Sequence, residues 1–240
     1  MYQVIKLNDS HIPLLKEFCL FAGLAGYANN ASIEAMKFGS EYDMGEIPEF
    51  WGVVADNRLI SVSGSHHWKD DDGQPTMMRC LFRSATLPGY DKIVPGLNRY
   101  HMNSLPFSAL LPHQINTGLK NGVNHFYITT SNSNHDASGK MKRTHKVLHL
   151  LEKVGIVKYA GDEVFYSTSQ TKWELHLDNY LEALRGFHPV RTNLGFEASR
   201  DYLDIIHNGF SRPWGGFCTP LTDDLDTQTN YLYTKYSHQY

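Results

Sequence analysis

The sequence predicts an α+β (α/β) chain: one main domain built from strands and helices, followed by an appendage. Three observations carry this. Segments with period-two spacing and segments with helical spacing take turns along residues 1–177. Two strand pairs are joined by short polar turns and read as hairpins. After Leu177 the texture changes to short helical stretches and a turn-rich tail bearing Tyr231, Tyr233, Tyr236 and Tyr240.

The elements follow in order. Tyr2 to Leu7 alternates apolar and polar residues and reads as a strand. Asn8, Asp9 and Ser10 supply N-cap oxygens for a helix carrying Ile12, Leu15, Phe18 and Cys19. Ala31 to Phe38 reads as a second short helix, and Gly39 to Pro48 as an acidic loop. Phe50 to Ala55 and Arg58 to His66 are strands around the turn pair Asp56-Asn57. Thr76 to Leu87 is a long strand that Pro88 ends. Residues 88–108 read as an irregular loop, and loops of that length in compact domains are usually functional or disordered. Pro112 suits the first position of a helix running to Asn121, with Gly122 as its C-cap. Val123 to Thr130 is a strand and Ser131 to Gly139 a polar loop. Thr144 to Val154 is an amphipathic helix that Gly155 stops. Ile156 to Ala160 and Val164 to Ser169 read as strands around an Ala-Gly-Asp-Glu turn, with Trp173 to Leu177 extending the second. Asn179 to Arg185 and Ser199 to His207 read as helices of the appendage, residues 178–240.

Composition excludes several classes. Hydrophobic residues are 41% and charged residues 20%, near the level of soluble globular chains, so a disordered or low-complexity protein is excluded. The net charge of −3 excludes a whole-surface basic field for gripping nucleic acid. Cys19, Cys80 and Cys218 contain no CxxC, which excludes zinc ribbons and thioredoxin-type chemistry and fits reduced thiols in a cytosol. Met1 to Asn8 has no basic stretch followed by an apolar run, so no signal peptide is expected. The longest apolar stretch, Phe18 to Tyr27, is about half a membrane span. A soluble cytoplasmic protein without membrane partners is expected. G-x-S-x-G and G-x-x-x-x-G-K-[ST] are absent.

The order of elements, with Trp51-Gly-Val-Val-Ala-Asp-Asn-Arg-Leu-Ile, Phe126-Tyr-Ile-Thr-Thr-Ser-Asn-Ser-Asn and Leu150-Leu-Glu-Lys-Val-Gly-Ile, resembles the GCN5-related N-acetyltransferase (GNAT) superfamily over residues 1–177. The resemblance implies a GNAT-like mixed, mostly antiparallel twisted sheet flanked by helices. It implies acetyl-CoA or another acyl-CoA as cosubstrate, bound between the fourth and fifth strands, and no metal. The family's Gln/Arg-x-x-Gly-x-Gly/Ala pyrophosphate loop should fall near Met102 to Phe107, where no glycine stands and Pro106 removes a donor. The family's frequent tyrosine acid falls on Leu151. The chain therefore reads as a divergent member.

The resemblance implies an N-acyltransferase acting on an amine, either a small molecule or a protein or peptide. His67, His149, Glu46 and Glu49 are its candidate acid–base residues. Thr86 and Leu87 would offer backbone N–H groups to the thioester carbonyl. Asn103 and Ser104 would contact pyrophosphate, and Asn132 matches the family's cofactor-side asparagine. The plainer readings stand beside these. His66-His67 can be a solvent-facing pair beside the acidic turn Asp70 to Asp72, since only one of two adjacent strand residues can face a cleft. His145 and His149 share a helix face without the HExxH pattern. Lys140, Lys142, Arg143 and Lys146 form either a phosphate-binding run or a solvated face. Two alternatives stay open: a catalytically inactive GNAT-like binding protein, and an acyltransferase that modifies nucleic acid, against which the net charge weighs. Residues 178–240 would lie over the cleft or form a homodimer contact.

Overall fold

The computed structural model describes residues 2–22, 49–69, 72, 75–87, 90, 105–131, 143–165, 168–181 and 183. Its strands are β1 (Tyr2–Lys6), β2 (Glu49–Ala55), β3 (Arg58–Lys69), β4 (Pro75–Thr86), β5 (His125–Ser131), β6 (Val157–Phe165) and β7 (Thr168–Leu175). They form one sheet in the order β1-β2-β3-β4-β5-β7-β6. Every neighbouring pair is antiparallel except β4 and β5, which run parallel. The sheet is thus mixed and mostly antiparallel, the GNAT-like architecture implied by the sequence.

Local chemistry accounts for the ends of these elements. Asn8 caps the turn before α1 (Ile12–Phe21): its side chain accepts from the Ser10 N–H. Asp56 and Asn57 both take left-handed φ, as a two-residue hairpin between right-twisted strands requires. Helix α2 (Leu111–Lys120) ends on Gly122, at φ +84°, whose N–H bonds the Leu119 carbonyl. Helix α3 (Arg143–Lys153) ends in the same way at Gly155.

Two apolar clusters flank the sheet. Val4, Leu15, Phe18, Cys19, Phe50, Val53, Ile60 and Val62 fill the first, at the β1–β3 end. Met78, Cys80, Ile115, Leu119, Phe126, Ile128, Leu148, Leu151 and Trp173 fill the second, beneath α2 and α3. Gly118 lets α2 approach the sheet closely, since a Cβ there would stand 2.6 Å from the Phe126 ring and 2.7 Å from the Met78 sulfur.

Two sequence expectations change. The Ala160-Gly-Asp-Glu163 segment is no turn: β6 runs through it to Phe165 and β7 starts at Thr168. Gly161, at φ +103°, marks a bulge where the β6–β7 register shifts between Tyr159 and Asp162. The helix expected from Pro112 begins earlier, because residue 105 is helical and Pro106–Leu110 forms a π-helical turn. The predicted helices at 31–38 and 199–207 lie outside the described residues.

That π-turn explains one long-range contact. The Leu111 N–H bonds the Pro106 carbonyl five residues back, and Pro112 has no N–H, so neither helical donor reaches the Phe107 carbonyl. Buried Tyr180 donates its hydroxyl to that carbonyl at 2.5 Å. Leu177, Tyr180, Leu181 and Ala183 join the core beneath α2 and α3. Tyr180→Phe should cost about 1–3 kcal/mol of stability by orphaning a buried carbonyl. Urea unfolding would check this, and an unchanged midpoint would refute it.

Candidate functional site

The parallel junction is where the sheet opens. Register pairing of β4 with β5 runs from Met77↔His125 to Cys80↔Ile128 and stops. Past that point β5 continues beside β7 through Thr129, Thr130 and Ser131, while β4 continues beside β3. The two strands enclose a fork whose mouth lies at their C-terminal ends. Helix α2 and the π-turn before it run back from that end, so the helical residue Leu105 lies toward the mouth.

Two bulges on β4 shape the fork. The β3–β4 register shifts between Val62 and Gly64 and again between Gly64 and His66. Leu81 and Arg83 take left-handed φ, +56° and +48°, where side chains are strained. An extra residue reverses the phase of the strand. Met78 and Cys80 face α2 and α3, yet Phe82 turns to the opposite side and meets Arg79 and His66.

This opposite face carries a buried polar group. The Arg79 guanidinium donates from Nε to Thr129 Oγ1 at 2.7 Å and from Nη2 to Gln170 Oε1 at 2.8 Å, crossing β4, β5 and β7. It lies 4.8 Å from the Phe82 ring centre, and the Arg83 guanidinium 5.2 Å. His66 pairs across the strands with Arg79 and sets its ring edge on Phe82 at 5.3 Å. Burial, the Arg79 charge and then His67 push the His66 imidazole down to a pKa of about 3, so it stays neutral. Farther along, Lys172 lies over the Tyr127 ring and pairs with Glu163. Burial, Glu174 and Glu163 raise the Tyr127 phenol, keeping it protonated.

The sequence-predicted residues distribute as follows. His67 pairs with Met78, one turn of the pleat below the fork and on the α2 side; its neighbour His66 takes the face shared with Arg79. Glu49 stands opposite Ser65 on the α2 side and binds Lys6 at 2.7 Å. His149 sets its ring edge on Trp173 at 5.0 Å and lies 3.5 Å from Glu152, on the β7 side of the fork. Leu151, at the position matching the family's tyrosine, is core. The Leu87 N–H is spent on the Ile60 carbonyl at 2.8 Å, and Thr86 pairs with Ser61 of β3. Both lie beyond the last β4–β5 pair, and Leu81 to Arg83 follow that pair directly. Glu46, Asn103, Ser104 and Asn132 lie outside the described residues. Sequence reasoning missed Phe82, and also Arg79 and Gln114, whose hydrogen-bond partners are 33 to 91 positions away and carry no local spacing signal.

Among the described residues no group of three or more His, Cys, Asp or Glu is placed to hold a metal ion. No described helix is long and apolar enough to cross a membrane.

No protein-family model matches the sequence, and no curated protein matches it. Solved structures similar in fold are acetyltransferases. An aminoglycoside N-acetyltransferase is 11% identical with a TM-score of 0.47, over 75% of this chain and 99% of that one. A GNAT-family acetyltransferase from Streptococcus pneumoniae is 12% identical with a TM-score of 0.44, over 72% and 98%. An N-acetyltransferase from Staphylococcus aureus Mu50 is 10% identical with a TM-score of 0.42, over 73% and 97%. Likeness at this level assigns no residue a role here. Among the described residues, the strand order and the parallel, diverging β4–β5 junction agree with the GNAT-like sheet that the resemblance implies.

Proposed function

We propose that this protein is a divergent GNAT-type N-acyltransferase that moves an acyl group from acyl-CoA to an amine. The observation that carries the reading is the β4–β5 fork, with the helical segment through Leu105 and the π-turn running back from its mouth. A thioester arm entering the fork would meet β4 backbone past Cys80, where ladder pairing with β5 has ended. Free N–H groups at a helix start favour phosphate.

The chemistry needs no bound metal. The amine nitrogen attacks the thioester carbonyl, the C–N bond forms and the C–S bond breaks. The amine's proton ends on the departing CoA thiol. A backbone N–H aimed at the developing oxyanion would stabilise the step, and such donors contribute about 10²–10³ in rate. His66 is a poor proton acceptor at neutral pH because its pKa is about 3. Glu49 is the described carboxylate put forward for that role, acting through water, since it stands two strands from β4.

Titration calorimetry with acetyl-CoA and free CoA tests the reading, with Asn103→Ala and Ser104→Ala beside the wild type. Binding weakened by those substitutions supports a glycine-free pyrophosphate site. Absence of heat with every CoA ester overturns the reading and leaves the non-catalytic binding protein. In the acyl-transfer assay Glu49→Gln should lower kcat by about 10²–10⁴-fold, and an unchanged kcat excludes Glu49 as the base.

A further inference from the structure

Four side-chain and backbone groups close a ring at the base of the fork. The Leu81 N–H donates to Gln114 Oε1 at 3.0 Å, and Gln114 Nε2 donates to Ser63 Oγ at 2.9 Å. Ser63 Oγ and Ser84 Oγ are 2.8 Å apart, and Ser84 Oγ donates to the Leu81 carbonyl at 2.8 Å. The last bond uses the Ser84 proton, so the Ser63 proton must go to Ser84. Each hydroxyl donates once and accepts once. The ring therefore has one direction, leaving Leu81 by its N–H and returning by its C=O.

The placement is informative. Leu81 is the first β4 residue past the Cys80↔Ile128 pair, and it holds φ at +56°. A strand N–H normally lies in the plane of the sheet, out of reach of a covering helix. The left-handed turn rotates it out, and the Gln114 amide of α2 meets it. Gln114 and Ser63 are fully buried, in a position where an apolar side chain would pack without demanding partners. A left-handed non-glycine residue costs about 1–2 kcal/mol, so something must hold it.

We propose that Gln114 is a positioning residue, which with Ser63 and Ser84 locks the β4 bulge that keeps the fork open and its bordering backbone aligned. The catalytic part of this inference rests on the acyltransferase reading; the clamp itself does not.

The test compares wild type with Gln114→Leu, Gln114→Glu and Ser63→Ala. Amide hydrogen exchange by NMR reads the clamp directly. In Gln114→Leu the Leu81 amide should exchange at least about tenfold faster, relative to core amides in the same variant, as loss of one buried hydrogen bond implies. Gln114→Glu keeps an acceptor at Oε1 and should restore that protection. Ser63→Ala, which leaves Gln114 in place, should give an intermediate loss, and it covers the case in which Gln114→Leu does not fold. With an active acceptor, Gln114→Leu should lower kcat about 10–100-fold with KM for acetyl-CoA changed less than about threefold, as misalignment of a reacting group does. Leu81 protection equal to wild type in Gln114→Leu and Ser63→Ala overturns the clamp. A lost Leu81 protection with undiminished kcat overturns its positioning role. If wild-type protein binds no CoA ester, the acyltransferase reading falls, and the exchange data alone still decide the clamp.

Discussion

Between pH 6.5 and pH 3 the protein should lose on the order of 4 kcal/mol of folding free energy at one side chain, His66. The folded chain holds this imidazole neutral, through burial first and the Arg79 charge second, with a pKa of about 3 against an ordinary 6.5. The sign follows from proton counting. Below pH 6.5 the unfolded chain takes up a proton that the folded chain refuses, so stability falls with pH across this window. Above pH 6.5 both states carry neutral imidazole and the dependence ends. Urea unfolding of wild type and His66→Gln between pH 7.5 and 4 isolates the effect, because carboxylate contributions are common to both. The wild-type curve should steepen relative to the variant by up to about 1.4 kcal/mol per pH unit. Parallel curves, or an imidazole resonance titrating near pH 6.5, would sink the prediction. The consequence for the site is that His66 cannot serve as a cation or an effective base at neutral pH, although it stands nearest Arg79 across the strands.

Trp173→Ala should lower stability by about 3–5 kcal/mol, the range for deleting a buried aromatic. Trp173 is fully buried beneath α3, and its indole donates to Thr130 Oγ1 at 3.1 Å. It thus ties β7 to the wall of the fork on the β5 side, and His149 rests on its ring. Few collapses are open to the site, since Leu148, Leu151 and Ile128 of the same cluster sit on fixed elements. Trp173→Phe keeps most of the volume but drops the indole donor. It should cost about 1–3 kcal/mol by the same bond-loss reasoning as for Tyr180. Guanidinium unfolding of the three proteins gives the ranking, and a Trp173→Ala cost below that of Trp173→Phe would refute the packing argument.

Much of the fold was legible because its signals are short-range. The turn pair Asp56-Asn57, the stop at Gly122 and the amphipathic stretch ending at Gly155 each declare themselves within a few residues. The glycine at 161 was misread for the same reason. A glycine between two apolar runs signals a turn or a bulge equally well, and only pairing with β7 decides which. The adjacent histidines show a similar limit. Alternation says that one of His66 and His67 faces each side, but it cannot say which side holds an arginine.

By itself the sequence determined, over the described residues, most of the segments that form strands and helices, where most of them end, and the order that makes a GNAT-like sheet, because caps, turns and periodicity act within one or two turns of chain. Only the tertiary structure decided that β4 carries two bulges, that these turn Phe82 toward Arg79, and that Gln114 reaches Leu81. A bulge reverses the facing of the residues after it, up to the next bulge, without altering composition. Its cause lies in partners from other strands and a helix, brought together only by folding.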